Sequence, residues 1–349
     1  MELTKQRITE IDSQNMWGLM NDFPTHWESI MESTSNVSLN IQSHKISSIC
    51  LAGMGGSAIG ADIIRAYTSN TCPVPVQVVR HYDIPNWVNE STLFIACSFS
   101  GNTEETHSAL DQAIEKGAQI IGVTSGGELQ NKAEKNGFDY IKIPGGMPPR
   151  AALAYSFVPL FRIFQWLGFI QEGDKQLIDT LEQLKEGVSL YTDISDNDAL
   201  SIARELNDTL PVIYSDALSM EPINLRWRGQ IEENAKMLAY GNVIPEMNHN
   251  EIVGWESIAH LTGRLTVVML RDNEDNQRVQ RRMDIVKELV IDQVNSVIEI
   301  QTKGHTKLAR LFSLIQLGDW VSMYLGLINE IDATPIAKID LLKSKLAEV

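Results

Sequence analysis

Three cysteines in 349 residues, Cys50, Cys72 and Cys97, are odd in number, widely separated and without CxxC spacing. That pattern excludes a disulfide framework and reads as reduced, mostly buried thiols of a cytoplasmic protein. Basic side chains are also scarce: Lys+Arg number 29 against 45 Asp+Glu, a formal net charge of −16. Such a chain is repelled by polyanions, so nucleic acid and anionic membranes are excluded as partners. No apolar run reaches the ~18 uninterrupted residues of a membrane span. The most apolar stretch, residues 151–170, is broken by Pro159, Arg162 and Gln165, and reads as a buried helix. The N-terminal MELTKQRITEIDSQNMW lacks the apolar stretch of a signal peptide and reads as an amphipathic helix. None of the seven histidines stands in HExxH or another zinc-ligand spacing, so no metal is expected.

What is present is ample apolar material, 43% of the chain, enough for two ordinary domains. From about residue 47, short β-branched runs alternate with helical patterns, the signature of a parallel sheet with crossover helices. Strands are expected at residues 47–53, 75–80, 92–98, 119–125 and 139–144, with helices at 58–68, 103–116, 129–136 and 150–168. An acidic helical stretch over 172–199 ends in the turn-rich DISDNDA. A second series follows, with strands at 211–216, 265–271 and 296–301 and helices near 221–239, 276–294 and 304–328. The expected architecture is α/β: two doubly wound units, each a mainly parallel sheet flanked by helices. The boundaries are set at 1–175, a connector at 176–200, and 201–349.

Two loops suit an anion. The first strand runs into GMGGSA, with Gly53, Gly55, Gly56 and Ser57 before a helix. Glycines let that backbone fold tightly and aim its N–H groups at a ligand. The loop also fits G-x-G-x-x-A through Gly53, Gly55 and Ala58, so a nicotinamide-dependent dehydrogenase is one reading; a P-loop lysine is missing. The third strand runs into SFSGNTEET, bringing Ser98, Ser100, Asn102, Thr103 and Thr106 to another strand's carboxyl end. Open α/β sheets bind ligands at that edge. Helix capping needs only Asn102 or Thr103, so the remaining hydroxyls exceed what capping requires. Neither loop has Lys or Arg, so hydroxyls and backbone N–H groups would hold a small phosphate. A second hydroxyl cluster on a different strand weighs against the dinucleotide reading.

GMGGSA followed by SFSGNTEET resembles the sugar isomerase (SIS) domain. With PPRAAL (148–153), EENAK (232–236), PEMNHNE (245–251) and the terminal ATP…IDLLK, the chain is similar to the bifunctional phosphoglucose/phosphomannose isomerase family from about residue 20 onward. The resemblance implies a phosphate site of Gly56, Ser57, Ser98, Ser100 and Thr103, and places Arg150 beside the C1/C2 end of an open hexose 6-phosphate. It implies Glu233 as the base and His249 as the ring-opening group, contributed by the neighbouring subunit of a homodimer. It assigns Thr334 to rotation of the C1/C2 end, so that both epimers react, and Lys343 to assist ring opening. The IAK spacer between Pro335 and Ile339 is longer than in some relatives, leaving Lys338 a second candidate beside Lys343.

The implied chemistry needs no cofactor, because the electrons move only within the substrate. The ring opens, a proton passes between C2 and C1 through a cis-enediol, and the ring closes. Imidazole titrates near neutrality and suits the ring oxygen; a carboxylate suits the carbon proton; a guanidinium suits the enediol's developing charge. Two further readings stay open from sequence: a non-catalytic SIS sugar-phosphate sensor and a strict glucose 6-phosphate isomerase.

Overall fold

The computed structural model describes residues 3–257, 260, 261, 263–346 and 348. The chain forms two compact units. One comprises 22–182 with 304–309 (the N-terminal unit), the other 1–21, 183–303 and 310–349 (the C-terminal unit).

The sheet of the N-terminal unit has five strands: β1 Ser48–Ala52, β2 Val76–Val79, β3 Thr92–Ser98, β4 Gln119–Thr124 and β5 Asp139–Lys142. All pair in parallel, in the order β2-β1-β3-β4-β5. The chain leaves β1 for one side and returns to β3 on the other, which makes the β1/β3 boundary the topological switch point. Both strands are buried throughout, as their unbroken apolar runs require of a sheet covered on two faces. Cys50 and Cys97 lie on them; burial pushes both thiols up to about 12, so they are packing groups rather than nucleophiles. Cys72 is half-buried, and all three cysteines are free.

The C-terminal unit has β6 Leu210–Asp216, β7 Tyr240–Ile244, β8 Leu265–Arg271 and β9 Ser296–Gln301, all parallel, in the order β7-β6-β8-β9. Strand β7 was not expected. It is an edge strand whose Tyr240-Gly241-Asn242 start is exposed or half-exposed, so only Val243 and Ile244 carry an apolar signal. The helix expected to reach 239 stops at Ala235, where Lys236 turns left-handed (φ +56°). The helix expected over 150–168 is split into a 3₁₀ turn, Pro149–Ala151, and a helix, Leu153–Trp166, with Pro159 inside.

The units divide the chain differently from the expected boundaries. The N-terminal helices Lys5–Ile11 and Met16–Asn21 belong with the C-terminal unit: Trp17 sits edge-on to Trp320 (4.7 Å) and Tyr324 (5.5 Å), and Arg7 pairs with Glu330. Residues 304–309 belong with the N-terminal unit, where Lys307 lies 5.4 Å over the Tyr67 ring. The stretch expected as a connector is mostly the Gly173–Tyr191 helix, and the units change over between 182 and 183. Residues 1, 2, 347 and 349, which the expected boundaries include, lie outside the described residues. Among the described residues one helix, Lys307–Ile328, is long and apolar enough to cross a membrane, but 89% of its most apolar window is buried inside the protein. That is the burial of a core helix.

Candidate active site

In the N-terminal unit the two expected loops meet at the switch point. Met54 is the N-cap of the Gly55–Tyr67 helix, so Gly56 and Ser57 lie in its first turn rather than ahead of it. Ser57 is buried, and its Oγ accepts a 3.1 Å hydrogen bond from the Phe99 N–H of the SFSGNT loop. This one bond ties the loop after β1 to the loop after β3. Ser98 Oγ and Thr103 Oγ1 are 2.8 Å apart, and Ser98 Oγ also accepts from the Thr103 N–H (3.4 Å). Ser100 is exposed, its Oγ accepting from the Asn102 N–H (3.2 Å). The hydroxyls thus divide: Ser57 and Ser98 are buried and shape the loops, whereas Ser100 is exposed and Thr103 half-buried.

Neither helix that starts here has a side-chain cap. Met54 cannot supply one, and Thr103, although the N-cap of Glu104–Glu115, makes no capping bond. Asn102, the alternative cap, instead accepts from the Glu128 N–H (3.0 Å) in the first turn of the neighbouring helix, Gly127–Asn136. Two helix N-termini therefore present backbone N–H groups without a side-chain cap to the same edge, an arrangement suited to an anion.

Arg150 lies next to this cradle. A Cβ at Gly56 would stand 2.7 Å from the Pro149 carbonyl oxygen, so glycine there is what lets the Pro149–Ala151 turn close on the loop. Arg150 itself is only 5% exposed.

The corresponding edge of the C-terminal unit is acidic. Asp216 ends β6, and Asp272 and Asp275 follow β8; all three are buried. The Leu218 (2.7 Å) and Ser219 (2.9 Å) N–H groups donate to Asp216, and Arg310 Nε donates to Asp272 (3.0 Å). Burial above all, with the neighbouring Asp216 and Asp272 carboxylates, pushes Asp275 up to about 7, opposed by the Asp272 N–H and by Arg271. This edge would repel a phosphate.

A pH dependence follows. Because folding raises the Asp275 pKa, its contribution to stability is full below the unfolded carboxylate range and is lost as pH rises through about 7. Asp275→Asn mimics the protonated form. Its stability relative to wild type should therefore climb between pH 4 and pH 8, by about 2–4 kcal/mol. Denaturation at both pH values checks this; an equal difference at the two would contradict it.

Glu233 lies in a five-residue π-helical turn, Ile231–Ala235, that continues the Glu221–Gln230 helix. It is half-buried, whereas Glu232 is exposed. π turns in α-helices recur at functional sites. Lys236 Nζ donates to the Glu233 carbonyl oxygen and, at 3.0 Å, to that of Ala333. The segments bearing Glu233 and Thr334 are thereby tied together within the C-terminal unit. Thr334 is buried, and its N–H donates to Asp332 Oδ1 (3.0 Å).

His249 ends a 3₁₀ turn, Glu246–His249, and its ring is exposed. The PEMNHNE segment is anchored on both sides of it. Met247 is fully buried, and the Glu251 carboxylate accepts from Tyr214 Oη, Tyr240 Oη (2.9 Å) and Asn242 Nδ2 (2.6 Å). Lys343 and Lys338 lie on the Ala337–Leu346 helix, all of whose residues are exposed. Among the described residues no hydrogen bond or ion pair joins Lys343 to Glu233, His249 or Thr334. Sequence reasoning gave no role to Lys236 or Glu251, although EENAK and PEMNHNE contain them.

The two parallel sheets, with a hydroxyl-lined cradle at the switch point of one, define an SIS-type α/β protein. Bacterial phospho-glucose isomerase C-terminal SIS domains match residues 195–346. A bifunctional phosphoglucose/phosphomannose isomerase from Caldicellulosiruptor bescii is 45% identical over 96% of this chain and 99% of its own length. One from Aquifex aeolicus is 34% identical, over 85% of this chain and 90% of its own. The chain belongs to the bifunctional phosphoglucose/phosphomannose isomerase family. In fold it is similar to the C-terminal domain of glucosamine-fructose-6-phosphate aminotransferase from Francisella tularensis, with a TM-score of 0.70 and 14% identity over 91% of this chain and 96% of that one.

Proposed function

We propose that this chain interconverts glucose 6-phosphate and mannose 6-phosphate with fructose 6-phosphate, without a cofactor, through ring opening and a cis-enediol. The observation that carries the reading is the cradle at the β1/β3 switch point, where two helix N-termini without side-chain caps and the Ser57–Phe99 bond make a place for a phosphate. In this reading Gly56, Ser57, Ser98, Ser100 and Thr103 form the phosphate site. Ser100, Thr103 and the helix N–H groups donate to the phosphate, while Ser57 and Ser98 hold the loops in shape. Arg150 offsets the charge that develops on the enediol oxygens. Glu233 moves the proton between C2 and C1. Thr334 accommodates rotation about C1/C2, and Lys343 assists ring opening. The test is a coupled assay offering glucose 6-phosphate and mannose 6-phosphate separately. Fructose 6-phosphate from both supports the reading; product from glucose 6-phosphate alone would reduce the chain to a strict glucose 6-phosphate isomerase, and product from neither would leave a sensor.

His249 is assigned to ring opening across the interface of a homodimer. Its exposure supports this, as do the exposed apolar side chains that flank its segment, Leu238 (78%) and Val253 (61%). Mixing Glu233→Ala chains with His249→Ala chains should restore up to about a quarter of the sites, by random pairing of subunits. No recovery after verified subunit exchange would refute the shared site. The cytoplasm is the proposed compartment, consistent with three free thiols.

A further inference from the structure

We propose that Ser322 and Asn234 are positioning residues for the isomerisation: their hydrogen bond fixes the π turn that aims Glu233. This inference rests on the reading of Glu233 as the base.

A π turn carries one residue more than an α turn, and each residue of an α-helix advances ~100° around the axis. Residues within the turn are therefore rotated progressively away from where a regular helix would put them. The direction of Glu233 depends on the wide turn being kept, and a lone wide turn has poorer packing than the α-helix into which it could relax.

The structure holds the segment before and within the wide turn against one helix. Arg226, Gln230 and Asn234 are spaced four apart and meet the Lys307–Ile328 helix. Arg226 donates to both Asp319 oxygens (3.0 and 2.7 Å), and Gln230 donates to Asp319 Oδ1 (2.8 Å). Within the wide turn, Asn234 Nδ2 donates to Ser322 Oγ (2.9 Å), which donates in turn to the Asp319 carbonyl oxygen (2.6 Å). All five of these side chains are buried.

The helix opposite is shaped for this approach. Gly318, Ser322 and Gly326 lie four apart along it. A Cβ at Gly318 would come 2.4 Å from Trp227 Nε1, and one at Gly326 would come 2.9 Å from the Asn234 carbonyl oxygen. A purely structural contact would be served as well by apolar side chains, since buried ion pairs contribute little net stability over them. What the polar network adds is register, and register is what the wide turn needs.

The experiment compares Ser322→Ala, Asn234→Ala, their double variant and Gly326→Ala with Glu233→Gln in the full-length protein. Ser322→Ala removes one hydroxyl from a helix interior that favours alanine, and Gly326→Ala keeps every hydrogen-bonding group while pressing on the Asn234 carbonyl. Each is expected to lower kcat by about 10- to 100-fold, the order of effect of a misplacement of about 1 Å. KM should stay within about twofold and Tm within a few degrees. Because Asn234 and Ser322 act through one bond, the double variant should lose no more than the worse single one. Wild-type kcat in Ser322→Ala and Gly326→Ala, beside an inactive Glu233→Gln, would overturn the positioning role and leave the base standing. Parallel losses of kcat, substrate affinity and Tm would also overturn it. Wild-type kcat in Glu233→Gln would instead remove the base, and this inference with it.

Discussion

Replacing Glu233 by Gln should lower kcat by about 10³- to 10⁴-fold, at the upper end of what a positioned general base contributes, and leave KM within a few-fold. The amide has the same shape as the carboxylate but cannot accept the proton from C2 or C1. The substitution leaves in place the Gln230 and Asn234 side chains that tie the turn to the Lys307–Ile328 helix. It also leaves the Glu233 backbone carbonyl, which accepts from Lys236, unchanged. Because phosphate recognition is assigned to other residues, the variant should still bind hexose 6-phosphate. Steady-state kinetics and direct binding measurements on the same preparation check the split. Wild-type kcat would show that another group moves the proton.

Taking the phosphate off the substrate should cost a comparable amount. Hydrogen bonds to a charged group contribute about 1.5–3 kcal/mol each, so two of them lost amount to about 3–6 kcal/mol, or ~10²- to 10⁴-fold. Glucose should therefore fall short of glucose 6-phosphate by at least that much in kcat/KM. Part of the deficit should appear in kcat, because binding energy remote from C1 and C2 is used to align them with the base. Within the cradle, Ser100→Ala should raise KM modestly, by removing one exposed hydroxyl. Ser57→Ala should do more than its size suggests, since it strands the Phe99 N–H and unties the two loops. Kinetics with both substrates and both variants would test this. Equal kcat/KM for glucose and glucose 6-phosphate would mean that the cradle plays no part.

The N-terminal unit was largely legible because its strands are short β-branched runs, all but the one at 75–80 ending at glycines, serines or a proline, and each such run became a strand. The cradle was legible for the same reason: hydroxyls in excess of capping need are visible in SFSGNT. What the sequence did not disclose was the division of labour among those hydroxyls, because Ser57 and Ser100 look alike until one is seen buried against Phe99. In the C-terminal unit, β7 escaped because Tyr240, Gly241 and Asn242 give no alternation, and strand pairing with β6 supplies what propensity lacks. The π turn had no local signature either. It depends on Asp319 and Ser322, some 90 residues further along the chain, and such distant partners leave no periodic trace. The packing of the helices Lys5–Ile11 and Met16–Asn21 with the C-terminal unit is of the same kind, set by Trp17 against Trp320.

The central claim is that a carboxylate transfers a proton between adjacent carbons of a phosphate-anchored hexose. The most direct test is turnover in deuterium oxide, with the positional label read by nuclear magnetic resonance. A proton held by Glu233 exchanges with solvent, so fructose 6-phosphate formed from glucose 6-phosphate should carry deuterium at C1, and this labelling should vanish in Glu233→Gln. Product that stays unlabelled through many turnovers would mean that hydrogen migrates without leaving the substrate. Labelling at the wild-type rate in the variant would equally contradict the assignment.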